Sequence, residues 1–248
     1  WLIGDPLRKR SHGRNQYVLD YSRPEVVNGI FDQLTEVFDG SSVDYIKWDM
    51  NRNITEAYSV ALPADRQGEL LHRYILGVYD LYERMASRYP HILFESCSAG
   101  GGRFDPGMLY YAPQAWTSDN TDAVERLKIQ YGTSLAYPLS TMGSHVSDIP
   151  NHQVKRQTPI KMRADVAYFG TFGYELNILK MSEDVLDTVK EQIAFFKQHR
   201  KLIHQGDFYR LLSPFEKQGN QTAWMVVSKD GSEGLVAYYQ VLAKPNDA

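Results

Sequence analysis

Three apolar runs in this chain end in residues able to do acid–base chemistry: DYIKWDMNR (44–52), ILFESCSAGGGRFD (92–105) and QAWTSDNTDA (114–123). Each passes from β-forming side chains to acidic, amide or glycine residues. If the strands before Asp49 and Asp119 run parallel, both carboxylates project into one mouth, far apart though they are in sequence. Two carboxylates facing one pocket are the minimum equipment for glycoside hydrolysis: one attacks the anomeric carbon, and the other gives and then recovers a proton. Lys47, two residues before Asp49 and on the same strand face, is expected to keep that carboxylate ionised. An isolated Asp after a strand is ordinarily a turn former or a helix cap. A pair flanked by Trp48 and Trp116 reads differently, because aromatic rings beside carboxylates suit the apolar faces of a sugar. A retaining reaction then requires the two carboxyl groups ~5–5.5 Å apart.

Other residues weigh less. Ser98-Ala99-Gly100-Gly101-Gly102 lacks the spaced lysine of a phosphate-binding loop, so its glycines are read as letting main chain approach a ligand. Cys97 has no basic neighbour in sequence and reads as a wall residue rather than a nucleophile. The seven histidines form no His-x-His or His-x-x-x-His pair, so most read as surface groups or groups behind the site; only His145, in the loop after a candidate strand, is kept on the list. Arg8-Lys9-Arg10 reads as solvated, while Arg14 in GRNQ is a donor to hydroxyls or carboxylates if its loop folds over the mouth. A rival from another class uses the same strand ends: Asp49, Glu95 and Asp119 on successive strands match a Mg²⁺ triad of an enolase-type lyase or isomerase, which EDTA sensitivity would separate.

The elements that must position these residues alternate. A first helix is expected with Ser22 as N-cap and Pro24 and Glu25 in its first turn, burying Val27, Ile30, Phe31, Leu34 and Phe38 before Asp39-Gly40. A strand over 43–48 follows, then a helix over about 65–88 with Leu71, Tyr74, Ile75, Val78, Leu81 and Met85 on one face, stopped by Pro90. Ile92-Leu93-Phe94 is the next strand and Gln114–Thr117 the third, followed by a helix through Val124, Leu127, Tyr131 and Leu135. Weaker strands fall near 139–145 and 168–174, and a long helix runs from Ser182 to about Ile203. Thr222–Val227 and Gly234–Val241, around a Lys229-Asp230-Gly231 turn, read as antiparallel. This alternation predicts an α/β fold: the later βα units of a (β/α)8 barrel over 1–205, then the start of an antiparallel β domain over 206–248. About five units are counted where a closed barrel has eight, so the first three are expected to be missing. The alternative, an open doubly wound sheet, would show a glycine-rich turn after its first strand, and none is visible.

Composition narrows the class. The chain has 248 residues, 27 Lys+Arg against 30 Asp+Glu, a net charge of −3 and 43% hydrophobic residues, which suits a globular protein with a sizeable core and argues against a nucleic-acid partner. A single cysteine permits no internal disulfide and leans toward a cytoplasmic location. No apolar run reaches membrane-spanning length, so no membrane partner is expected. The chain opens on Trp1 rather than Met, and is expected to be a piece of something longer.

Together, KWDMNR, ESCSAGGGRFD and WTSDNTDA, in this order and spacing, resemble the catalytic barrel of glycoside hydrolase family 36, the bacterial α-galactosidases, across essentially the whole chain. The resemblance implies that Asp49 is the nucleophile and Asp119 the acid/base, with sugar contacts from Arg14, Lys47, Asn51, Cys97, Gly100 and Trp116. It implies a retaining α-galactosidase acting on oligosaccharides such as melibiose or raffinose, without metal or cofactor, as a homo-oligomer of the full-length enzyme. Family members carry an earlier strand whose paired aspartates hold galactose hydroxyls; this sequence lacks it. A carbohydrate-binding or inactive fragment is therefore a third reading.

Overall fold

The computed structural model describes residues 1–216 and 219–243. It divides into two compact units, Trp1–Pro113 and Gln114–Ala248.

In the first unit, helix α1 (Pro24–Asp39) leads to strand β1 (Tyr45–Trp48), helix α2 (Leu70–Arg88), strand β2 (Leu93–Ser96) and a short helix α3 (Pro106–Tyr111). β1 and β2 are parallel, pairing Tyr45 with Leu93 and Lys47 with Glu95. Their core is a layer of α1 and α2 side chains against the sheet: Val27, Leu70, Tyr74, Val78, Leu81, Met85 and Phe94 are all buried. Residues 70, 74, 78, 81 and 85 form one stripe at helical spacing.

Two local expectations are corrected here. Leu71 is 52% exposed and Leu70 is 1% exposed, because at about 100° per residue Leu71 falls at one edge of the buried stripe and Leu70 on the other side of its centre. Ser22 is not the N-cap of α1; Arg23 holds that position, and the Ser22 hydroxyl donates instead to Asp20, which is fully buried. Gly77 of α2 is needed for close approach: a Cβ there would overlap the carbonyl oxygen of Tyr21.

In the second unit, β3 (Gln114–Trp116), α4 (Ala123–Thr133), β4 (Met142–Ser147), α5 (Ile160–Ala167), β5 (Thr171–Glu175) and α6 (Glu183–Gln205) alternate. β3, β4 and β5 are parallel neighbours in chain order. Leu135, expected on the buried face of α4, lies beyond its end and is 65% exposed. Strands β6 (Asp207–Leu212), β7 (Gln221–Val227) and β8 (Gly234–Gln240) form an antiparallel sheet, with Gly231 at φ 73° in the turn between the last two. Trp224 of β7 is 1% exposed and packs its ring against Phe169, Phe208 and Tyr239. Among the described residues no helix is long and apolar enough to cross a membrane.

Candidate active site

Asp49 follows β1 directly, in a cavity of about 270 Å³ that it lines with Trp48, Tyr21, Tyr74, Asn51 and Arg103. The ladder between β1 and β2 continues past the strand ends: Cys97 N–H donates to Trp48 O at 2.9 Å and Met50 N–H to Cys97 O at 3.1 Å. Ser98 Oγ donates to Met50 O at 3.0 Å, and Arg103 Nη2 to Cys97 O at 2.9 Å. The Asp49 loop and the glycine loop are thus fastened to one another by main-chain and side-chain bonds. This fastening aims donors at the carboxylate. Asn51 Nδ2 donates to Asp49 Oδ2 at 2.5 Å, joined by the Cys97 thiol and the main-chain N–H groups of Met50 and Ala99. Burial works to raise the Asp49 pKa, but these donors outweigh it and hold the carboxyl below the ordinary carboxylate range.

The same loop explains Cys97. Burial pushes its thiol up to about 11, a backbone N–H from Gly100 works against this, and its bond to Asp49 adds to it. A thiol so protonated is a donor and not a nucleophile. Ala99 has φ 46° and Gly100 φ 89°, so Ala99 occupies the left-handed region where a Cβ is unfavourable. Arg14 and Asn15, with φ 53° and 58°, are the central residues of a tight hairpin turn closed by mutual main-chain bonds between Gly13 and Gln16. Arg14 is exposed there.

Lys47, expected to help keep Asp49 ionised, has an ion-pair partner in Glu95. Lys47 Nζ lies 3.7 Å from Glu95 Oε1, and Tyr45 also donates to this 1% exposed carboxylate. The reason is register: Lys47 and Glu95 are direct cross-strand neighbours, so their side chains share one face of the sheet. The largest contributions that lower the Asp49 pKa come from neutral donors. Among the described residues no group of three or more His, Cys, Asp or Glu side chains is gathered to hold a metal ion, and Glu95 is taken up by Lys47 and Tyr45.

In the second unit, Asp119 follows β3. Trp116 Nε1 donates to Asp119 Oδ1 at 3.2 Å, and the Trp116 ring lies 4.7 Å from that of His145 on β4. Gly143 gives this indole its room, since a Cβ there would stand 2.7 Å from Trp116 Cε3. The loop after Asp119 is built from successive caps: Asn120 N–H donates to Ser118 Oγ and Asp122 N–H to Asn120 Oδ1. The Asp122 side chain accepts from Val124 and Glu125 N–H at the start of α4, and Arg156 pairs with it. Asp122 is thus the turn-and-cap aspartate, while Asp119 is left out of the capping. Arg126, which the sequence reading passed over, donates to Ser118 O, Asn120 O and Gly143 O. Its signal was a charged residue on the first turn of a helix opened by Asp122, too common a pattern to single out.

The melibiase family profile matches residues 1–206, and that of the glycosyl hydrolase family 36 C-terminal domain matches residues 221–248. The chain is 59% identical to alpha-galactosidase AgaA of Geobacillus stearothermophilus, covering 99% of this chain and 34% of the relative. It is 51% identical to alpha-galactosidase Mel36A of Lactobacillus acidophilus, covering 98% of this chain and 33% of that protein. It therefore spans about a third of the length of these curated relatives. Among solved structures, the alpha-galactosidase from Lactobacillus brevis superposes with a TM-score of 0.98 at 55% identity, covering all of this chain and 33% of that one. A GH36 alpha-galactosidase AgaA structure with raffinose gives 0.97 at 58% identity, again over the whole of this chain and 34% of that one. The fold is accordingly the expected one, part of a (β/α)8 barrel followed by antiparallel strands. The chain belongs to the melibiase family, glycoside hydrolase family 36.

Proposed function

We propose that this chain carries the two catalytic carboxylates of a retaining α-galactosidase, with Asp49 as nucleophile and Asp119 as acid/base. The observation that carries the reading is the Asp49 carboxylate held ionised by Asn51, Cys97 and two main-chain N–H groups beside a cavity walled by aromatic rings. In the first step an Asp49 oxygen bonds to the anomeric carbon as the glycosidic bond breaks, and Asp119 delivers its proton to the departing oxygen. In the second, Asp119 takes a proton from water, whose oxygen displaces Asp49 from the same carbon. Two inversions return the original anomer.

Relatives support the substrate class. AgaA has been solved with raffinose and, in another structure, with stachyose. Each of those complexes carries a substituted aspartate, a different one in each, and the two stand as far apart in that sequence as Asp49 and Asp119 do in this one. Terminal α-linked galactose on such oligosaccharides is the proposed substrate. Arg14, Lys47, Asn51, Cys97, Gly100 and Trp116 are the proposed sugar contacts, none of them requiring a metal. The proposal includes a partial barrel over 1–205, a β domain from 206, and a cytoplasmic homo-oligomeric full-length enzyme.

The test uses the full-length enzyme that contains this chain. Asp49→Ala abolishes turnover of every substrate, because no covalent galactosyl intermediate forms. Asp119→Ala spares activated aryl galactosides, whose leaving group needs little protonation, and azide restores it with an α-galactosyl azide as product, because azide attacks the β-linked intermediate from the face that the leaving group vacated. A β-azide from Asp119→Ala, or equal losses across leaving groups, would reverse the assignment.

A further inference from the structure

We propose that Arg126 is a positioning residue for Asp119: its guanidinium clamps the main chain on both sides of that residue and so sets the direction in which the carboxyl points. This rests on the reading of Asp119 as acid/base. Arg126 sits on α4, one turn past the helix-capping Asp122, and is 3% exposed. Its side chain turns back under the end of β3. Nη2 donates to Ser118 O at 2.6 Å and Nε to Asn120 O at 2.8 Å, the carbonyls immediately before and after Asp119. Nη1 donates to Gly143 O at 2.9 Å, which ties the loop to the neighbouring strand β4. The guanidinium carbon lies 4.9 Å from the centroid of the Trp116 ring, and that ring holds Asp119 Oδ1 through its Nε1. One rigid planar group therefore fixes the backbone around Asp119 and the aromatic donor that grips its carboxylate.

The choice of arginine is costly. Burial pulls its pKa down to about 10, with Glu175 and Asp119 acting against this, so it stays charged at neutral pH with main-chain carbonyls as hydrogen-bond partners. For packing alone an apolar side chain of that volume would serve as well or better. Three divergent carbonyls need a planar fork, and an ammonium is a single point that cannot span them. A proton donor must meet the departing oxygen within tenths of an ångström and a few degrees, which is where loosening the loop is felt.

In the full-length enzyme, Arg126→Lys lowers kcat on raffinose about 30-fold with KM within about two-fold. The same variant lowers kcat/KM on a dinitrophenyl α-galactoside less than about three-fold, since that leaving group needs little protonation. Placed on an Asp119→Ala background, Arg126→Lys leaves the ratio between the two substrates unchanged, because the group it positions is gone. Equal loss on both substrates, or the same loss of raffinose turnover without Asp119, overturns the clamp. Asp119→Ala alone separates the two failures: leaving-group dependence there with none in Arg126→Lys removes only the clamp, and none in Asp119→Ala removes the acid assignment beneath it. If Arg126→Lys does not fold, Arg126→Gln keeps a planar donor that reaches at most part of the three carbonyls; it is expected to show the same selectivity against raffinose, and a uniform loss on both substrates there counts against the proposal.

Discussion

Asn51 donates its side-chain amide to Asp49 Oδ2 at 2.5 Å, which makes the residue two positions after the proposed nucleophile a regulator of its charge. Burial alone would raise the Asp49 pKa, and the Asn51, Cys97, Met50 and Ala99 donors bring it below the ordinary range. A donor to the ionised form stabilises that form, so removing it raises the pKa. The nucleophile must be ionised, and activity is lost as pH falls through its pKa. Asn51→Ala is thus expected to move the acid limb of the kcat/KM profile to higher pH and to lower kcat/KM at neutral pH about 10-fold. An acid limb that stays in place would mean that Asn51 serves the sugar alone.

Cys97 should be chemically silent. With the thiol pushed up to about 11 and the residue 3% exposed, the thiolate fraction at neutral pH is about two orders of magnitude below that of a free cysteine. Peptide mapping by mass spectrometry after iodoacetamide treatment should find Cys97 unmodified in the native enzyme and modified in denaturant. Rapid native labelling would contradict the buried, donating thiol.

Ala99 holds a strained main chain at φ 46°, and Ala99→Gly relieves it. The expected gain is about 1 kcal/mol in denaturant unfolding, less the entropy that a glycine adds to the unfolded chain. The Ala99 N–H still reaches Asp49, so kcat/KM should hold. A loss of stability in this variant would show that the Cβ is packed to advantage.

Glu95→Ala tests the ion pair that the strand register creates. It leaves Lys47 without the carboxylate 3.7 Å away and Tyr45 without its acceptor. The cost is expected at about 3 kcal/mol in unfolding experiments, with Glu95→Gln milder because it can still accept from the tyrosine. No measurable destabilisation would mean that the pair is solvated in solution.

The positions proposed to do chemistry are legible because they are local features: an apolar run ending in Trp48-Asp49 or in Trp116 and Asp119 announces a strand and what stands at its carboxyl end. The elements that escaped are those without a period long enough to read. α3 and α5 are six and eight residues long, and β6 has no buried position, with only Phe208 and Leu212 half-covered. Leu71 misled because it falls at one edge of the stripe that α2 buries, where the helical period alone does not decide between core and solvent.

The sequence by itself determined the fold class, the two aspartates proposed as catalytic and the motifs that mark the family, since strand-end chemistry and amphipathic spacing are written along the chain. Tertiary structure alone decided partners. Lys47 belongs to Glu95 because the β1–β2 register sets them side by side, and Asp49 is held ionised by a loop that begins 48 residues later at Cys97. Arg126 could be read from its position only as one more charged helix residue. Its role depends on a buried guanidinium meeting three carbonyls from two strand ends. Such contacts are set by the angles at which strands and helices pack, and no spacing along one chain segment encodes them.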